Sequence, residues 1–454
     1  MWRQLTDSFA RFGHLRRNAR LYLISNTIQA FTAGAIGILY TLFLNGLGYG
    51  TTFIGIALFV ATAGGALGIL PASALIRRLG WRNMLLWSDL IGGIAIFFQL
   101  IAPTRAVTLI TSLGAGASVA IFLVLNSPFL AANSEPEQRN AIFSLNNALG
   151  FLAGVSGSLI GGLLPLWVSA GFQTHAPWLV ALRPWLLANP QSRVYQVAML
   201  AAGIVAVPSI VPVIMMRDET SHSAPAEEAA GSAQPALRER LHALLGQARE
   251  TLSGVVGRFS LSQALVGFGA GLFFPYLNLY FVTKLGASTA FYGALTATVT
   301  ALLAVVSLAS APLADRFGRV PVALVAQVAS LPFMIVMGAV PVLAVVSACY
   351  IIRSTLMNTG AAPLQAWLMD AVAPQRQVLA SNAYNISWQG AWAIGAALGG
   401  ELIAIGGYGT PFYVAAVCYT VSAALLGLWF LPRRRDAVSS PALTSGAHTN
   451  TDAQ

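Results

Sequence analysis

Twelve runs of about 20 apolar residues, parted by short polar segments, leave this chain little choice but a bundle of membrane-spanning helices. The runs lie at roughly 21–45, 52–73, 83–102, 106–131, 141–165 and 195–216, then at 258–283, 289–312, 321–340, 342–368, 378–404 and 408–431. Each can cross a hydrocarbon core about 30 Å thick. Hydrocarbon offers backbone N–H and C=O groups no partner, so a spanning segment must satisfy them within itself as a helix or join a closed barrel. The period-two alternation of a barrel strand is missing. Only 9% of the residues are charged, against about a quarter in a soluble domain. The expected fold is an all-α membrane protein with twelve transmembrane helices.

The arginines orient the bundle. With loops assigned alternately to the two sides, one side holds Arg3, Arg11, Arg16, Arg17, Arg20, Arg77, Arg78, Arg82, Arg139, Arg217, Arg238, Arg240, Arg249, Arg258, Arg316, Arg319, Arg376, Arg433, Arg434 and Arg435, which is 20 of the 25 Lys and Arg. The other side has Arg105, Arg183, Arg193 and Lys284, and Arg353 falls within a run. By the positive-inside rule both termini are expected in the cytoplasm of a multi-pass protein of the cell (inner) membrane. The same topology accounts for the net charge of +10, so no nucleic-acid partner is expected. Cys349 and Cys418 sit inside apolar runs and read as packed hydrophobes, not as a disulfide or metal pair.

The chain repeats itself at an offset of 238 residues. Arg20 matches Arg258, Phe43 matches Phe281, Leu47-Gly48 matches Leu285-Gly286, Gly55 matches Gly293, and Gly161-Gly162 matches Gly399-Gly400. Arg139 and Ser144 match Arg376 and Ser381 at 237. Two pseudo-symmetric six-helix bundles in parallel orientation follow. The expected divisions are a cytoplasmic segment 1–20, a bundle 21–216, a central loop 217–257 with an amphipathic helix near 235–252, a bundle 258–431 and a tail 432–454. Segment 166–194, with Trp167, Trp178 and Trp185, is expected to anchor at the membrane interface.

One charged island carries a family resemblance. Ala311-Pro312-Leu313-Ala314-Asp315-Arg316-Phe317-Gly318-Arg319, and in weaker form Ser73 to Arg82, resembles the loop between the second and third helices of each half of major facilitator superfamily transporters. The turns Pro136-Glu137-Gln138-Arg139 and Pro374-Gln375-Arg376 resemble that superfamily's loops between the fourth and fifth helices. The resemblance spans about residues 17–432 and identifies no subfamily. It implies a non-enzymatic, secondary active transporter that moves a small solute by alternating access between its halves, in the lipid bilayer, as a monomer, with proton or ion coupling an option. Two other readings stay open: an exporter of amphipathic compounds or lipids, and a non-transporting membrane sensor on the same scaffold. No cofactor, metal or catalytic residue is expected.

The resemblance also implies roles for particular residues. Asp315, Arg316, Gly318 and Arg319, with Arg77, Arg78, Gly80, Arg139 and Arg376, would form gating loops. Asp315 is expected to face the start of the fifth helix, near Arg139. In the first half Arg77 occupies the acid position, so Asp89 is expected to act as a surrogate acid for the loop arginines. Arg353, about eleven residues into the tenth run, is a guanidinium near mid-membrane; it needs a partner, a water-filled cavity or an anionic substrate. The resemblance puts it on a cavity-lining helix. Gln29, Asn126, Tyr276, Asn278, Asn358, Trp388 and Gln389 are further cavity candidates, either for substrate or for bonds between helices. Glu401 is the coupling candidate.

Overall fold

A computed structural model describes residues 15–135, 138–173, 189–217 and 254–431. The expectations for the N-terminal segment, most of 166–194, the amphipathic helix and the tail lie outside the described residues. Within them every regular element is helical.

The first six crossings are α1 (Arg17–Gly46), α2 and α3 (spans Thr51–Ile69 and Arg78–Ile101), α4 (Arg105–Ala132), α5 (Arg139–Gln173) and α6 (Pro190–Ile214). The second six are α7 (Val255–Lys284), α8 (Thr289–Phe317), α9 (Arg319–Ala339), α10 (Leu343–Thr359 with Ala361–Asp370), α11 (Gln377–Gly406) and α12 (Thr410–Phe430). The helices alternate in direction, so α1 begins and α12 ends on one face, termed here the terminal face; the opposite face is the distal face.

Local sequence explains the irregular places. Between α2 and α3 no loop intervenes: one helix runs Thr51–Ile101 and turns only at Gly80, whose φ is 77°. Gly318 does the same between α8 and α9 with φ 88°. With ψ of 167° and 145°, both backbones occupy a region that a Cβ makes costly. Since these glycines are 238 positions apart, the repeat seen in the sequence recurs as a repeat of backbone geometry. Helix α5 continues to Gln173, past Pro165, where the sequence run was expected to end. Proline removes one N–H from the ladder, whereas uncoiling in hydrocarbon would orphan several groups.

Packing divides the molecule unevenly along its depth. At the distal end a single buried cluster draws on both halves, with Leu39, Leu42, Phe43 and Ile54 of the first against Phe273, Tyr276, Leu277 and Phe281 of the second. Toward the terminal face there are two clusters. Tyr22, Met84, Leu125 and Phe129 pack within the first half, while Phe259, Val320, Leu364 and Leu426 pack within the second.

Candidate functional site

The distal closure is built from two helix pairs, α2 with α11 and α5 with α8, and from a contact of α7 with α1. Thr51 Oγ1 donates to the Gly400 carbonyl at 2.7 Å, Thr52 Oγ1 donates to Glu401 Oε2 at 2.8 Å, and Asn278 Nδ2 donates to the Ile38 carbonyl at 3.1 Å. In the second pair a Cβ on Gly293 would lie 2.5 Å from the Ser158 carbonyl oxygen and 2.9 Å from the Gly162 Cα. The halves touch backbone to backbone there because both helices present glycine. Gly55 and Gly400 play the matching part between α2 and α11.

Below this seal, and within the second half, a cavity of about 360 Å³ runs from Phe274 and Trp392 at mid-depth toward Phe259 and Tyr384 nearer the terminal face. Its walls are mostly apolar and aromatic. Arg353 is the only charged residue among those lining it. The guanidinium is buried, with 4% of its surface exposed. One Nη2–H donates to the Tyr419 hydroxyl at 2.6 Å, and the planar group lies 4.8 Å from the Phe273 ring centre and 5.3 Å from that of Tyr419. The aromatic faces attract the cation without neutralising it. No carboxylate pairs with Arg353 among the described residues, so the internal salt bridge that would have made it purely structural is not formed. Arg353 Nε, Gln263 Nε2 and Ser354 Oγ are buried without a hydrogen-bond partner.

The other candidates separate by location. Asn358 and Trp388 line the cavity with Arg353. Gln389, one position along α11 from Trp388, is exposed and not among the lining residues. Tyr276 and Asn278 belong to the distal closure: the Tyr276 hydroxyl donates to the Ala396 carbonyl at 2.5 Å, and Asn278 reaches across to α1. Gln29 and Asn126 sit in the first half in hydrogen-bonded pairs. Asn26 Nδ2 donates to Asn146 Oδ1 at 2.6 Å, Asn146 Nδ2 to Asn126 Oδ1 at 3.4 Å, and Gln29 Nε2 to Asp89 Oδ1. Sequence reading passed over Gln263, Gln327, Ser354 and Tyr419. The single glutamines within the spans α7 and α9 were the available signal.

One expectation for the loops needs correction. Asp89 does not serve as counter-charge to the loop arginines: its carboxylate accepts from Gln29, while Arg82 donates to the Ile214 carbonyl at 2.9 Å. Helix α3 starts directly after Gly80, which lifts Asp89 about 13 Å above the turn at 1.5 Å per residue. Asp315 and the start of α5 are apart in this conformation. Asp315 is exposed on the terminal face, as are Arg316 and Arg139, because the halves are packed separately there. Arg319 instead forms an ion pair with Asp370 at the end of α10. Arg78 and Arg376 are exposed, and the side chain of Arg77 lies outside the described set.

Comparison with known proteins agrees with this architecture. The family model described as Major Facilitator Superfamily matches the chain twice, over residues 22–254 and 259–451. None of the curated proteins is significantly similar in sequence. Among solved structures, a bacterial homolog of the human lysosomal transporter Spinster, in an inward-facing and unoccupied conformation, superposes with a TM-score of 0.70 at 15% identity, covering 90% of this chain and 96% of its own. The nucleoside transporter NupG (D323A mutant) gives 0.70 at 13% identity, over 91% of this chain and 100% of its own. A D-xylose-proton symporter gives 0.63 at 14%, over 92% and 97%.

Proposed function

The chain belongs to the Major Facilitator Superfamily, whose members are secondary transporters, and from that premise we propose how this member carries a small solute across the bilayer. The terminal face is cytoplasmic, as the excess of arginine on it supports. The structure then represents an inward-open state, sealed at the distal end and accessible from the cytoplasm. The cavity around Arg353, Asn358 and Trp388 is the solute site.

The observation that carries this reading is the distribution of buried clusters: one shared by both halves distally, and one in each half at the terminal face. Rocking the halves about the mid-depth site opens the first and brings the other two together. The three hydrogen bonds between the halves among the described residues contribute about 1 kcal/mol each, small enough for the seal to break within a transport cycle. Glu401, which accepts from Thr52 across the seal, is the group through which a proton could weaken it. On the cytoplasmic side Asp315 and Arg139, both exposed in this state, are placed to meet once that side closes. Cavity and seals are formed within one chain, so a monomer suffices.

Single-cysteine labelling tests both orientation and access. With Cys349 and Cys418 replaced by alanine, Phe317→Cys and Asn358→Cys are expected to react with a membrane-impermeant maleimide in inverted vesicles and to be spared in right-side-out vesicles. The reverse pattern would overturn the orientation. Protection of Asn358→Cys on both sides would overturn the open cavity.

A further inference from the structure

We infer that the cavity takes an organic monoanion, a single carboxylate on a compact aromatic body. This deepens the reading of the cavity as the solute site and rests on it. A guanidinium at this depth keeps its charge, because arginine stays protonated even where burial is costly. Tyr419 and Phe273 hold it in place and leave its charge uncancelled. What completes such a group is an acceptor of opposite charge. Three residues of the same lining each carry a buried polar atom without a partner: Arg353 Nε, Gln263 Nε2 and Ser354 Oγ. A carboxylate, an acceptor of opposite charge, suits such a lining, whereas an ammonium or amide nitrogen would face donors with a donor.

The charge count limits the anion to one. Among the described residues no second cation lines the cavity, so a dicarboxylate or phosphate dianion would bring in net negative charge among apolar walls. The body of the solute is set by the far wall. Trp388 and Trp392, one turn apart on α11, are stacked with ring centres 5.2 Å apart, and Trp392 lies 5.6 Å from Phe274. A planar ring extends that stack, while a flexible aliphatic chain gains less from it and loses more conformational freedom on binding. The volume of about 360 Å³ fits one or two rings.

The test is calorimetric binding of 2-naphthoate, 2-naphthamide and octanoate to the purified full-length protein. Naphthoate is expected to bind at least about tenfold more tightly than its uncharged amide, the gain typical of a charge-assisted contact. Arg353→Gln should bring that ratio close to one, with a cooperative thermal melt showing that the variant is folded. If Arg353→Gln does not fold, Gln263→Leu serves: it should lower naphthoate affinity about threefold or more and narrow its advantage over the amide. Equal or tighter binding of the amide, an unchanged ratio in the variants, or no binding of any probe would overturn the proposal; octanoate matching naphthoate would overturn its aromatic part. Flux of labelled naphthoate into proteoliposomes separates this from the transport reading. Selective binding without flux would sustain the anion site and sink transport. Carrier-type flux of a neutral or cationic solute, with no naphthoate binding, would do the opposite.

Discussion

Gly293→Val should push the protein out of the conformation described here. The Cβ alone would sit 2.5 Å from the Ser158 carbonyl oxygen, where ordinary contact begins near 3.4 Å, so α5 and α8 must part by about 0.9 Å before either valine methyl is placed. Both neighbours are backbone atoms of a helix and cannot turn aside. Overpacking of this kind costs about 1–3 kcal/mol. Because the clash exists only while the distal end is closed, the cost falls on that state alone. The ratio of closed to open molecules should drop by about 5- to 150-fold. Spin labels at Gly50→Cys and Ile405→Cys, on the distal ends of α2 and α11, report the separation of the halves by double electron–electron resonance. A second, longer distance should appear in the Gly293→Val background. Gly390→Val on α11, whose Cβ would meet nothing within 4 Å, should leave the distribution as it is. A single short distance in Gly293→Val, in protein that is folded and monodisperse, would refute the argument that this contact is a gate.

Gly318→Ala should lower stability by about 1–3 kcal/mol, because the backbone there lies in a region reserved for glycine; thermal melts of purified protein check it, and no change would mean that the turn relaxes. Asn146→Ala removes the residue bonded to both Asn26 and Asn126 and should cost about 1 kcal/mol, read in the same melts. Asp370→Asn breaks an exposed ion pair with Arg319, so stability should change by less than about 1 kcal/mol. If that pair also orients the loop for closure, transport will fall far more than stability does. Asp315→Asn should impair transport more than Arg77→Gln, since only the second half keeps an acid at that loop position; equal effects would place the cytoplasmic latch elsewhere.

The twelve crossings and their pairing into halves could be read from the chain because the bilayer imposes them. An apolar run of the right length has one stable form in hydrocarbon, and a duplicated gene repeats its glycines. Gly55, Gly162, Gly293 and Gly400 fall into two pairs 238 residues apart, and the structure sets one member of each pair at each of the two seams of the distal seal. Which polar residue meets which was not legible. Asp89 was matched to arginines near it in sequence, but a helix begun at Gly80 carries it to the depth of Gln29 on another helix. Tyr276 and Asn278 were equally good cavity candidates by type, and only the packing of α7 against α1 and α11 turns them to the seal. Arg353 stood out because a charge in hydrocarbon must be answered; its neighbours Gln263 and Ser354 did not, because an uncharged polar residue in a span has several cheap ways to be satisfied.

Alternating access through one site is tested most directly by solute counterflow. Purified protein is reconstituted into vesicles preloaded with a solute that stabilises it in a thermal-shift screen, and uptake of trace labelled solute is followed after dilution. A carrier of this kind should accumulate label to a transient overshoot that saturates with concentration, because each inward-open site returns loaded. Uptake that is linear in concentration and indifferent to preloading would contradict the account.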